Sequence, residues 1–186
     1  MALGVNELTV LSRRNLAVGA VALTTAAVMR GAIAQTMSRG GTWLDMVKAH
    51  HALIAGAFDK ILATNDSQAA ERAALQRTLA YLLTAHSVAE ENVLYPALTK
   101  FGMTSASDRL YAEQAQAKVI NADLGWSPTG DASWLQQATA MRTAVLHHAK
   151  DEEEGDLFPK LQRAAGPLNA KLTAGYAREF ARVEKT

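Results

Sequence analysis

Thr84-Ala85-His86-Ser87-Val88-Ala89-Glu90-Glu91-Asn92-Val93-Leu94-Tyr95-Pro96 is the stretch on which the fold turns. It reads as a helix running into a proline, whose missing N–H cannot continue the backbone ladder. Upstream, the apolar stripe is Leu75, Leu79 and Leu82, and continuing it at helical spacing lands on His86 and then Glu90. Side chains at i and i+4 lie one above the other, so an imidazole and a carboxylate stand where the buried seam should carry leucines. A buried carboxylate without a partner is costly, and needs a cation, a proton or strong donors. A metal ion held by both side chains answers for both. A core histidine bonded to a neighbouring glutamate would explain one such pair, but the pattern recurs.

Working outward, a first helix spans Trp43–Leu62, with the seam Leu44, Val47, His51, Ile54, Phe58, Ile61 in steps of three and four. His51 lies on that seam, and His50, ~100° away, reads as a partly exposed neighbour. Thr64-Asn65-Asp66-Ser67 supplies loop and capping residues for a second helix over 67–95. After a turn at 99–107, a third helix covers 108–124. Its seam is Leu110, Glu113, Ala117, Ile120, Leu124; the other register turns Gln114 inward but also buries Asn121, which favours the first. Gly125 to Asp131 is a loop, and a fourth helix covers 132–157 with the seam Ala138, Met141, Val145, His148, Glu152. Gly166-Pro167 opens a final helix with Leu168, Leu172, Tyr176, Phe180 and Val183 on one face, suited to lying across the bundle as a lid. The prediction is an all-α, up-down-up-down four-helix bundle over 43–164, with a short fifth helix over 165–186.

A weak internal repeat bears on the fourth helix. Glu90-Glu91-x-x-Leu94-Tyr95-Pro96-x-Leu98 recurs as Glu153-Glu154-x-x-Leu157-Phe158-Pro159-x-Leu161, 63 positions later. His86 is four before Glu90, whereas His148 is five before Glu153. A regular helix favours Glu152 as the inward carboxylate; the repeat favours Glu153, at the expense of a π-bulge.

Composition narrows the chemistry. The chain has 186 residues, enough for one domain with a full core, and 49% of them are hydrophobic. Its net charge of +1 gives no sign of nucleic acid or anionic membrane as a partner. There are no cysteines, which excludes disulfides, thiolate zinc sites, iron–sulfur clusters and covalently attached haem. Ser12-Arg13-Arg14-Asn15-Leu16, an apolar run to Met29 and Ala32-Ile33-Ala34 describe a secretory signal peptide over 1–34, cleaved near Ala34. Its paired arginines are similar to the twin-arginine type, which predicts a periplasmic or otherwise exported protein. Residues 35–42 read as a linker, and the mature chain should contain no membrane span.

Three seam histidines and two seam carboxylates, without sulfur, suit iron, manganese or zinc, and iron is the natural choice in a bundle core. Carboxylates able to bridge favour two ions, although a mononuclear site is also compatible. No Glu-x-x-His tetrapeptide of the ferritin-like kind is present, and no His-Glu-x-x-His. A haem bundle using one histidine and Met46, Met103 or Met141 would leave the buried carboxylates unexplained.

At these residues the chain resembles the hemerythrin-like, or HHE cation-binding, domains over about 43–164. The carriers are His51-x-x-Ile54 with Phe58, His86-x-x-x-Glu90-Glu91 leading to Leu94-Tyr95-Pro96, and His147-His148 leading through Glu152-Glu153-Glu154 to Leu157-Phe158-Pro159. The resemblance implies a non-haem di-iron centre, bridged by two carboxylates, that meets O2, NO or peroxide. Carried over, His51, His86 and His148 would be terminal ligands, with Glu90 and Glu152 or Glu153 as bridges. The third helix departs from the family, offering Glu113 and Gln114 where the family has histidine; Glu113 would then complete a carboxylate-richer site. Three functions follow as expectations: binding, sensing or storage of the small molecule; a peroxidase or ferroxidase on the same site; and a metal-free helical adaptor.

Overall fold

The structure, a computed structural model, describes residues 41–183. The expected signal peptide and nearly all of the linker lie outside the described residues.

Helix α1 spans Trp43–Leu62, and its start is set by a capping box: the Asp45 N–H bonds to Thr42 Oγ1 at 3.3 Å, and the Thr42 N–H to Asp45 Oδ2 at 2.8 Å. Asn65 caps a 3₁₀ turn, Asp66–Gln68, that leads into α2, Ala69–Ala89. The chain then widens into a first π-helical turn, Glu90–Leu94, and continues as α3, Tyr95–Lys100. A left-handed glycine, Gly102, reverses it into α4, Thr104–Trp126. Helix α5, Ala132–His147, runs into a second π-helical segment, His148–Leu157, and on into α6, Phe158–Ala165. After a 3₁₀ turn at Gly166–Leu168, α7 covers Asn169–Val183.

Helices α1 and α4 each pack against both α2 and α5, which makes the predicted up-down four-helix bundle. The core is the set of apolar seams, with Val47, Ile54, Phe58, Ile61, Leu79, Leu98, Leu110, Leu124, Met141 and Leu161 buried. At one end the guanidinium of Arg72, fully buried, bonds to Thr64 Oγ1, the Thr129 carbonyl and Asp66, tying two loops together. Helix α7 packs on α1, α2 and the first π turn, as a covering helix should. It is pinned by Trp43, whose Nε1 donates to Asn169 Oδ1 at 2.8 Å and whose backbone N–H donates to Thr173 Oγ1 at 3.1 Å. Gly175 permits the close approach, since a Cβ there would meet Val93 Cγ1 at 3.2 Å.

Two expectations need correction. Pro96 does not end the second helix. In the π turn Tyr95 N–H bonds back to the Glu90 carbonyl, so the donor that Pro96 lacks falls opposite the Glu91 carbonyl. The Tyr111 hydroxyl supplies that bond instead, at 2.6 Å, and the helix continues to Lys100. Second, α4 takes the register that turns Gln114 inward and leaves Glu113 half-exposed. The polar cost at Asn121 is met because its carbonyl and Oδ1 accept from Gln76 Nε2 at 3.3 and 3.4 Å. Trp126 is 83% exposed, whereas Trp43 is buried.

Candidate metal centre

The two π segments explain where the carboxylates go. Each ends in an aromatic–proline pair, Tyr95-Pro96 or Phe158-Pro159, and in each the aromatic N–H bonds five residues back, to Glu90 or Glu153. Gly155 makes the second turn possible, because a Cβ there would sit 3.0 Å from the Lys150 carbonyl oxygen. The extra residue in the turn carries Glu153, not Glu152, to the inner face. Glu153 is fully buried; Glu152 lies on the flank, 3.0 Å from Arg109 Nη2 and 3.6 Å from His147 Nε2. The internal repeat, rather than the regular seam, was the informative signal.

His51, His86, Glu90 and Glu153 form one buried group whose ligand-type atoms all lie within 4.8 Å of one another. His51 Nε2 is 3.1 Å from His86 Nε2, 3.2 Å from Glu153 Oε2 and 3.8 Å from Glu90 Oε1, and His86 Nε2 is 3.1 Å from Glu90 Oε2. The other oxygen of Glu153 is 3.3 Å from His148 Nε2, so this carboxylate spans from one histidine to another. A second, half-buried group joins His148 to Glu113 and Glu152. Glu113 therefore sits behind His148, bonded to its Nδ1 at 2.7 Å, instead of on the inner seam.

Each histidine nitrogen facing away from the cluster has a partner: His51 Nδ1 meets Glu154 at 2.7 Å, and His86 Nδ1 meets the Tyr176 hydroxyl at 3.2 Å. Such outer bonds set the tautomer and aim the Nε2 lone pairs at a common point, as around a metal-bound imidazole. Inside, Glu90 Oε1 and Glu153 Oε2 are buried without a hydrogen bond. Two buried carboxylate oxygens without hydrogen bonds, 3.8 and 3.2 Å from the same imidazole nitrogen, are what a cation would satisfy, so the residues present fit a bound metal.

Without metal, protons take its place. Burial alone would lower His51, but contacts with Glu153 and Glu154, and the charge of Glu90, raise it to about 9. His148 is likewise penalised by burial, yet the charge of Glu153 and its bonds to Glu153 and Glu113 raise it to about 10. Burial, then the charge on His51, holds His86 well below the ordinary imidazole value. Burial and the charge of Glu153 push Glu90 well up. Glu153 resists burial and stays well below the usual carboxylate range, held there by His148 and His51.

Three residues of the site were not foreseen as such. Tyr95, known in the sequence only as part of the helix-ending motif, places its hydroxyl 2.8 Å from Glu153 Oε1, 3.2 Å from His148 Nε2 and 3.3 Å from Glu90 Oε2. Gln114 Nε2 donates to Glu90 Oε2 and to the Tyr95 oxygen, each at 2.6 Å. Tyr176 on α7 joins His86 to His50, whose Nδ1 is 2.9 Å from the same hydroxyl. His50, expected to be partly exposed, is 2% exposed and stacks on Phe180 with ring centres 3.9 Å apart, because α7 covers that flank.

Among the described residues no helix is long and apolar enough to cross a membrane. A curated relative described as "DNA nickase", from Nostoc sp. (strain PCC 7120 / SAG 25.82 / UTEX 2576), is 27% identical over 162 residues, covering 83% of this chain. The match spans only 44% of that relative's length. No solved structure matches the chain significantly. The sequence profile described as "Hemerythrin HHE cation binding domain" matches residues 42–161, from the cap of α1 into α6. With histidines and buried carboxylates of three helices converging inside that span, the chain belongs to the hemerythrin HHE cation-binding domain family.

Proposed function

We propose that the protein is an exported iron protein whose centre binds O2, NO or peroxide. The observation that carries this reading is the buried group His51, His86, Glu90 and Glu153, with two carboxylate oxygens left without hydrogen bonds. A pair of non-haem irons held there would supply a redox-active site open to small molecules. In this reading His51, His86, His148, Glu90 and Glu153 would hold the irons. Glu154, Glu113 and Tyr176 hold the three imidazoles in orientation. Export rests on Ser12-Arg13-Arg14 and the apolar run behind it.

A second reading, a peroxidase or ferroxidase on the same site, is favoured by one observation. Where the family has histidine on the third helix, the inner position holds Gln114, and the phenol of Tyr95 sits among the carboxylates. An oxygen-rich donor set lowers the potential of bound iron and favours oxidation over reversible carriage of O2. The activity named for the Nostoc relative belongs to a chain less than half of which is matched.

The test is metal content and visible absorption of protein produced with ferrous iron, beside His148→Ala and Glu153→Ala. Wild type should hold about two irons per chain, His148→Ala about one, and Glu153→Ala fewer still. A wild-type protein that takes up no iron would sink the proposal. Peroxide turnover that disappears in His86→Ala would select the enzymatic reading over simple binding.

A further inference from the structure

The centre is closed to any reductant that would have to touch it. Glu90 and Glu153 are fully buried, and His51 and His86 nearly so. Reducing peroxide to water takes two electrons, and a charged donor cannot carry them inward, because it would lose its hydration in the packed core. The electrons have to cross the protein. One pair of aromatic rings leads outward. The Tyr95 hydroxyl lies among the carboxylates, 2.8 Å from Glu153 Oε1, and the Tyr95 ring meets Tyr111 edge to face, with ring centres 5.0 Å apart and planes at 84°. Tyr95 is wholly buried, whereas Tyr111, on α4, is 37% exposed.

Two phenols in contact therefore join the cluster to solvent. The phenol on the other flank, Tyr176, makes no such exit: it stacks on His50, and both are buried. A phenol gives up a single electron readily when its proton has somewhere to go. Gln114 Nε2 donates to the Tyr95 oxygen, so the Tyr95 O–H is free to donate to Glu153. The Tyr111 O–H donates to the Glu91 carbonyl at 2.6 Å, and the exposed ring gives its proton access to water.

We propose that Tyr95 and Tyr111 pass single electrons from a reductant at the protein surface to the centre, which makes Tyr111 the point where the electron donor is oxidised. The inference rests on the peroxide reading above and adds to it the class of co-substrate, a one-electron donor that never enters the core. Peroxide takes up two electrons and two protons and leaves as two waters. Each electron comes from Tyr95, which lends its proton to Glu153 along the 2.8 Å bond and recovers it when Tyr111 supplies a replacement electron. Tyr111 releases its own proton to water and becomes a phenoxyl radical. The donor then reduces that radical, which takes a proton back from water. With ferrocyanide as the donor, two ions become ferricyanide for each peroxide.

The test adds hydrogen peroxide to the iron-loaded full chain and reads two things: ferrocyanide oxidation, and the residue that carries a nitroso spin-trap adduct, located by peptide mass spectrometry. Ferrocyanide is a strongly hydrated tetra-anion and stays outside the core. Wild type should carry the adduct on Tyr111. Tyr111→Phe should lose it and slow ferrocyanide oxidation about tenfold or more, with iron content unchanged. Tyr111→Trp removes the same phenol but supplies an oxidisable indole, and should recover most of the rate. Equal slowing in both variants would mean that Tyr111 only caps the Glu91 carbonyl, and would overturn the proposal. A Tyr111→Phe protein as fast as wild type would do the same. Peroxide consumed with no adduct on Tyr111 overturns this inference alone; a protein that holds no iron, or consumes no peroxide, loses the functional reading and the inference with it.

Discussion

Replacing Tyr176 with phenylalanine removes one oxygen atom and tests whether α7 belongs to the metal centre. The hydroxyl bonds to His50 Nδ1 at 2.9 Å and to His86 Nδ1 at 3.2 Å, and all three residues are buried. One O–H cannot donate twice, so with His86 Nε2 free for a metal the order is His86 Nδ1–H to Tyr176 and Tyr176 O–H to His50. Each buried ring nitrogen left alone costs about 1–3 kcal/mol, and part is recovered because the phenol oxygen no longer needs desolvating. The net loss for the metal-free protein should be about 2–4 kcal/mol in urea unfolding, with the midpoint shifted and the slope unchanged. Iron affinity should fall as well, by about tenfold or more, since His86 is then free to turn or to change tautomer. Phe180→Leu is the control: it loosens the same helix through the stack on His50 but leaves the Tyr176–His86 bond in place. Equal loss of iron affinity in both variants would refute the orienting role, and a Tyr176→Phe protein as stable as wild type would refute the hydrogen bonds.

Other perturbations have equally defined outcomes. Gly155→Ala puts a methyl 3.0 Å from the Lys150 carbonyl, so the second π segment must distort; we expect ~1–3 kcal/mol of destabilisation and a clear loss of bound iron, read by unfolding and metal analysis. His51 and His148 have folded-state values of about 9 and about 10, above the ordinary imidazole value of ~6.5. Their contribution to the metal-free fold is therefore complete below pH ~6.5 and lost as pH rises through 9 to 10, so urea unfolding of that form should show stability declining over this range. Metal competes for the same nitrogens, so loading near neutral pH should release protons and tighten with rising pH; an indicator in weak buffer that detects no release would refute this. Arg13→Lys with Arg14→Lys should retain the protein in the cytoplasm, which fractionation would show.

The sequence made the helices legible because Leu, Ile and Phe recur along them at helical spacing. The first helix lies where the stripe and the Thr42 cap place it. What it concealed came from departures from 3.6-residue periodicity. Counting along a regular helix selects Glu152; the structure turns Glu153 inward, and only the repeated Glu-Glu-x-x-Leu-aromatic-Pro pattern carried that information. The register with Gln114 inward also turns Asn121 inward, which counts against it by local pattern; Gln76, on a different helix, supplies the partner that offsets this cost. Tyr176 was seen only as one apolar position on the last helix. Its contacts with His50 and His86 join residues 126 and 90 positions apart, a distance no local pattern spans.

The two widened turns have a consequence beyond the carboxylates they aim. One additional residue in a helix rotates everything after it by ~100° about the axis. Leu98 and Leu161, buried in the last turns of their helices, are in phase with the core only because that rotation has already happened. The hydrophobic ends of the bundle thus act as a torsional lock. Relaxing either turn to a regular helix would turn Leu98 or Leu161 off the core face, so their packing holds the widened turns in place before any cation arrives.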